Sequence, residues 1–160
     1  MKQVLDVWIM LMPLLRWMFY PAMLLAVGSV GFTLLMRPWV PAAINLYLRQ
    51  IISKAALAAL LLALLQLPVT AGILGGDLAS AFDPYLLKVV LGTPPGLSAL
   101  VATAGLALML VIERVPAAVP PVIRVVPPVV VILSMTLVGH ATSRGVLTGM
   151  LLSLHLAGIG

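Results

Sequence analysis

The chain has 160 residues, of which 63% are hydrophobic and 8% charged, and its mean hydropathy is +1.24. Soluble domains carry roughly 25% charged residues, so a water-soluble globule is excluded. The formal charge is +5, but the nine Lys and Arg residues are scattered singly. No basic stripe forms that would grip nucleic acid, and lipid head groups are the expected counter-charge. With no cysteine, disulfides, thiolate metal sites and cysteine nucleophiles are impossible.

A membrane-crossing helix needs about 20 apolar residues, and this length supplies four or five of them with short loops. The expected fold is therefore all-α: one transmembrane domain over residues 1–160, a bundle of about five membrane helices with short interfacial helices. Lys2 before an apolar stretch invites comparison with a signal peptide. Asp6 and Arg16 interrupt the stretch, however, and no small-residue cleavage site follows, so a retained helix is expected. The first span is read over residues 14–36, with residues 4–12 as an interfacial helix or an extension bent at Pro13. Trp8, Trp17, Tyr20 and Trp39 near its ends suit an aromatic belt, and Pro21 falls inside it.

Residues 37–54 read as a polar stretch containing Asn45, Arg49 and Gln50, followed by a second span over 55–73. Ala55, Ala59 and Ala63 recur at a spacing of four and offer a face where another helix can approach closely. Residues 75–84, with Asp77 and Asp83, form a loop in water. Residues 85–91 are too short to cross and read as an interfacial helix ending at the Gly92-Thr93-Pro94-Pro95-Gly96 break. A third span covers 97–112 and ends at Glu113 and Arg114, which mark the membrane edge. Five prolines between residues 116 and 128 oppose an ordinary helix, so the fourth span is expected to start near 122–126 and kink at Pro127-Pro128. A turn at 141–145 leads to a fifth helix over 146–160, which rises only about 22 Å. Counting Lys and Arg near the span ends favours an N-terminus on the outer side by five to four.

Ionisable groups at membrane depth are candidates for function because lipid makes them costly. The chain has four carboxylates and two histidines, His140 at the end of the fourth span and His155 within the fifth. Counted from a turn centred near Ser143, His155 lies deeper than His140 by about 13 Å, too far for one shared ion or for a bis-histidine haem within one chain. Methionine thioethers are soft donors suited to Cu(I), and Met135 and Met150 fall at matching depth between the histidines. The alternatives are a helix-end or packing role for each histidine and a core-filling role for the methionines. Met135 and His140 stand about 140° apart around a helix, as do Met150 and His155, which opposes one lining face for all four. No phosphate-binding glycine loop, H-E-x-x-H or G-x-S-x-G is present, and no histidine–carboxylate pair is placed to activate a hydroxyl. A non-enzymatic protein is expected.

Several segments together resemble the copper-resistance D (CopD) family of bacterial inner-membrane proteins. Leu137-Val138-Gly139-His140-Ala141 is similar to that family's Gly-His-Ala signature at a helix end, and Leu154-His155-Leu156-Ala157 follows at a similar interval. Leu91 to Gly96 resembles its leucine, threonine and glycine segment before a helix, and Leu15-Arg16 through Gly31-Phe32 fits its opening helix. The resemblance implies copper tolerance or uptake at the inner membrane, with His140 and His155 as metal ligands and copper as the ion. The sequence departs from the family in lacking a histidine after Arg16 and the tryptophan and paired glycines after His155. The expectation is an abbreviated member whose path across the membrane is completed by a second copy or another membrane subunit. The competing reading is a non-catalytic accessory subunit packed into a larger membrane complex.

Overall fold

The computed structural model describes residues 2–36, 38–115 and 118–138. Helix α1 runs over Lys2–Met36, α2 over Ala42–Gly75, α3 over Pro84–Leu91, α4 over Pro94–Arg114, α5 over Pro121–Arg124 and α6 over Val126–Thr136. No strand occurs among the described residues. Helices α1, α2 and α4 are long and apolar enough to cross a membrane; the stretch Pro121–Thr136 is apolar but shorter. The expected fifth helix lies outside the described residues.

Local chemistry sets the helix boundaries. α1 passes through Pro13 and Pro21 without ending, so its first residues extend the span and form no separate interfacial helix. It stops before Pro38, where the Met36 carbonyl accepts from the amides of Trp39 and Val40 at 2.9 and 3.1 Å. α2 closes at Gly76, whose φ of 79° places it in the left-handed region and whose amide returns to the Gly72 carbonyl at 2.8 Å. Asp77 then accepts from the Ser80 amide at 2.7 Å, and a single 3-10 turn over Ala79–Phe82 leads to Asp83. The Asp83 carboxylate caps α3 through the Tyr85 amide at 2.8 Å, with Pro84 in the first turn. Thr93 does the same for α4, accepting from the Gly96 amide at 3.2 Å while donating to the Val90 carbonyl at 2.6 Å.

Two expectations change. The polar residues 42–54 do not precede the second helix but belong to it: α2 begins at Ala42, ahead of the expected start at Ala55, and is 34 residues long, a rise of about 51 Å. Its first turns continue beyond the apolar segment 55–73, carrying Arg49 and Lys54 on a helix. The break in the last hairpin falls at Val125, ahead of Pro127-Pro128. Prolines lacking N–H groups sit without penalty in the first turn of α6, so they open a helix where a kink was expected.

The bundle is up-down-up-down. Leu24, Leu25 and Phe32 of α1 border a shallow groove with Leu48 of α2, while Arg16 and Tyr20 share a cavity with Gln66, which sets α1 and α2 antiparallel. Arg49 reaches Glu113 across α2 and α4, and Ser98 reaches Ser134 across α4 and α6. The interior is built from small residues. Ala26, Ala56 and Ala59 are fully buried, Ala63 and Ala102 nearly so, and Leu106, Met109 and Val131 fill the space between helices. The face carrying Ala55, Ala59 and Ala63 is a packing seam, as its spacing predicted. At Gly105 a Cβ would lie 2.7 Å from a Val131 methyl and 3.2 Å from the Pro127 carbonyl, so α4 and α6 touch backbone to side chain there. Large apolar groups point outward, among them Trp17, Leu61, Leu65, Val111 and Leu133. Small residues inside and leucines outside suit a solvent of hydrocarbon, and the chain is a membrane protein.

Candidate functional site

A cavity of about 300 Å³ opens between α1, α2, α4 and α6 at the end of the bundle where α1 begins. Its residues fall into two levels. Arg16 of α1, Gln66 of α2, Pro95 of α4 and Val138 after α6 lie on the side where α4 begins, with Tyr20 bordering them one turn further along α1; Met23, Ala63, Ala102 and Met135 lie further in. On α1 the separation between Arg16 and Met23 is seven residues, about 10 Å of rise. The outer level thus carries a guanidinium, a phenol and an amide, and the inner level alkyl groups and two thioethers. Ser98, between the levels, is occupied: its hydroxyl donates to the Ser134 carbonyl at 2.6 Å, and Ser134 donates to the Val131 carbonyl at 2.6 Å.

Among the four candidate ligands, Met135 is half-buried on α6 and lines the inner level of this cavity. His140, Met150 and His155 lie outside the described residues. Val138, on the outer level, comes two residues before His140 in sequence. Met23 was not singled out among nine methionines, because nothing in the spacing along one chain says which of them meet across a bundle. It is almost fully buried, and its half-buried counterpart Met135 packs against the same core. Arg16 carried a sequence signal, since it is the one charge within residues 14–36, but only the antiparallel pairing with α2 places it at a cavity.

The opposite end of the bundle holds a second polar feature. Arg49 Nε donates to Glu113 Oε2 at 3.1 Å, and Arg49 Nη2 donates to the Glu113 backbone carbonyl. The Glu113 side chain is 5% exposed and that of Arg49 32%. Glu113 is therefore more than a marker of the membrane edge: it is a buried charge neutralised from α2, and the same guanidinium closes the last turn of α4. In the loop at the cavity end, the Ser80 hydroxyl and amide hold Asp77 below the usual carboxylate range. Asp77 and Asp83 serve the local turns and helix cap, as a solvated loop requires, and no group of three His, Cys, Asp or Glu side chains gathers among the described residues.

No curated protein and no solved structure matches the chain. The family model described as copper resistance protein D-like, N-terminal domain, matches residues 4–150. That match takes in α1 to α6 as well as the Gly139-His140-Ala141 stretch, so the chain belongs to the copper resistance protein D-like family.

Proposed function

We propose that this protein handles copper ions at or across the bacterial inner membrane, with His140 as an outer ligand, His155 as a deeper one, and Met135 and Met150 as thioether donors between them. The observation that carries the reading is the position of Met135. It lies on the inner level of a cavity that also contains the Met23 thioether, and the chain continues past the end of α6 at Thr136 to Val138 on the outer level, which in sequence directly precedes the Gly139-His140-Ala141 stretch. Thioethers in an apolar surround suit Cu(I), a soft ion, while an imidazole nearer the membrane surface suits capture. Copper in this scheme is cargo, and the protein is no enzyme.

The charge distribution supports an outward-facing cavity. Among the described residues, Arg49, Lys54, Arg114 and Arg124 gather at the end opposite the cavity, against Lys2, Arg16 and Lys88 at the cavity end. By the positive-inside rule the former end faces the cytoplasm and α1 begins outside. A path through the bundle would be completed by a second copy or a further membrane subunit.

Purified protein in detergent should bind Cu(I), measured by competition with a chromophoric chelator. His140→Ala and His155→Ala should each lower the bound copper, and Met135→Leu should weaken affinity without abolishing binding. Unchanged stoichiometry in both histidine variants would remove the proposal. Metal-free protein that co-purifies with a stoichiometric membrane partner would support the accessory-subunit reading in its place.

A further inference from the structure

We infer that the outer level of the cavity holds the phosphate of an anionic phospholipid drawn from the surrounding bilayer, with Arg16 as its charged partner. The chain has four side-chain carboxylates. Glu113 is bound by Arg49 at the far end of the bundle. Asp77 is held by Ser80, and Asp83 caps α3. Asp6 precedes Arg16 by ten residues on α1, about 15 Å along the axis. Residues 139–160 contain no Asp or Glu at all. Among the described residues, Arg16 accordingly meets no side-chain carboxylate, and no hydrogen bond or ion pair engages it.

The groups around Arg16 define what it takes instead. Gln66 lines the same side of the cavity and Tyr20 stands one turn of α1 further in, about 6 Å along the axis, and their side chains have no hydrogen-bond partner among the described residues. A guanidinium fork, a phenol and a carboxamide together match the oxygens of a phosphodiester, which a guanidinium grips with paired charge-assisted bonds. The first turn of α4 also borders the cavity, but it has no amide to spare: Pro94 and Pro95 lack N–H groups, and the Gly96 and Leu97 amides bond to Thr93. Recognition therefore rests on side chains. The remaining walls are apolar, with Phe19 and Ala99 beside the polar groups and Met23, Leu24 and Ala102 further inward, so the cavity as a whole has the character of an amphiphile's complement. Arg16 lies six residues inside the apolar segment that starts at Met10, a depth from which its long side chain can reach towards a head group, and Trp17 beside it is exposed. A basic pocket between membrane helices is a recurrent way of holding a particular lipid head group.

The inference stands whether or not copper is the cargo, because its site is the outer level and its readout is lipid. Full-length protein is purified in detergent, exchanged into bilayer nanodiscs of phosphatidylcholine containing phosphatidylglycerol, and released for native mass spectrometry under graded delipidation. Wild type should keep one phosphatidylglycerol per chain after phosphatidylcholine has been stripped. Arg16→Gln should weaken that retention about tenfold or more, the loss expected for a charge-assisted hydrogen bond, and Arg16→Lys should keep part of it. Ala99→Phe, which fills the cavity wall while leaving the guanidinium in place, should also release the lipid. Equal retention by wild type and Arg16→Gln, or equal retention of the two lipids by wild type, would overturn the inference. So would a thermal shift from inorganic phosphate in lipid-free detergent as large as that from phosphatidylglycerol, since the site would then take a free anion.

Discussion

Glu113 shows how much one side chain can cost in this setting. A carboxylate with 5% of its side chain exposed is tolerable only because Arg49 supplies both a counter-charge and a bond to the adjoining carbonyl. Arg49→Ala leaves the carboxylate buried and alone and should destabilise the bundle by about 3 kcal/mol, read as a lowered midpoint of unfolding in mixed micelles. Replacing both partners, Arg49→Leu with Glu113→Leu, should recover most of that loss, because no unpaired charge remains. A double variant as weak as the single one would mean that the bond to the Glu113 carbonyl carries the effect. The pairing spans 64 residues of sequence, and each partner alone reads as an ordinary interfacial charge. Only the antiparallel register of α2 and α4 makes them meet.

Between elements, contact distance is set by what is missing from the side chains. Gly105 lets α4 come within reach of Val131 and the Pro127 carbonyl, and Gly105→Leu should push the two helices apart at a cost of about 1–3 kcal/mol. The loss should appear in the same micellar unfolding measurement, together with faster amide exchange across residues 126–136; an unchanged midpoint would show that α6 can shift freely. Packing of this kind was partly legible in advance. Ala55, Ala59 and Ala63 announced the α2 seam, whereas Asp83-Pro84 and Thr93-Pro94-Pro95, which open α3 and α4, read in sequence only as the end of a loop and a helix break. The true start of α2 was hidden because a run judged by hydropathy begins only at Ala55, past the polar residues of 42–54. Asn45 and Arg49 nevertheless recur at the spacing of four that a helix requires, between apolar residues that continue without a Gly or Pro. Met135 and Arg16 were visible as residue types, whereas the cavity joining them depends on four helices and has no linear signature.

For the molecule as a whole, alternation of helix direction fixes which loops share a side. Cysteine is absent, so single cysteines can report on this without background. Leu78→Cys, in an exposed position of the α2–α3 loop, should react with a membrane-impermeant maleimide on intact spheroplasts. Trp39→Cys, exposed between α1 and α2, should react only after permeabilisation. The reverse pattern would invert the proposed orientation, and identical labelling at both positions would contradict the antiparallel bundle itself.

The elbow between α3 and α4 has a mechanical outcome. A Cβ on Gly96 would lie 1.9 Å from the Val90 carbonyl oxygen, backbone that has nowhere to yield, and Thr93 ties both helices by hydrogen bonds. The eight residues of α3 thus behave as a rigid foot on the leg of α4. When a thinner or thicker bilayer changes the lean of that leg, the foot must dip or rise with it, so hydrophobic mismatch felt along one crossing is delivered to the lipid surface as the motion of another segment.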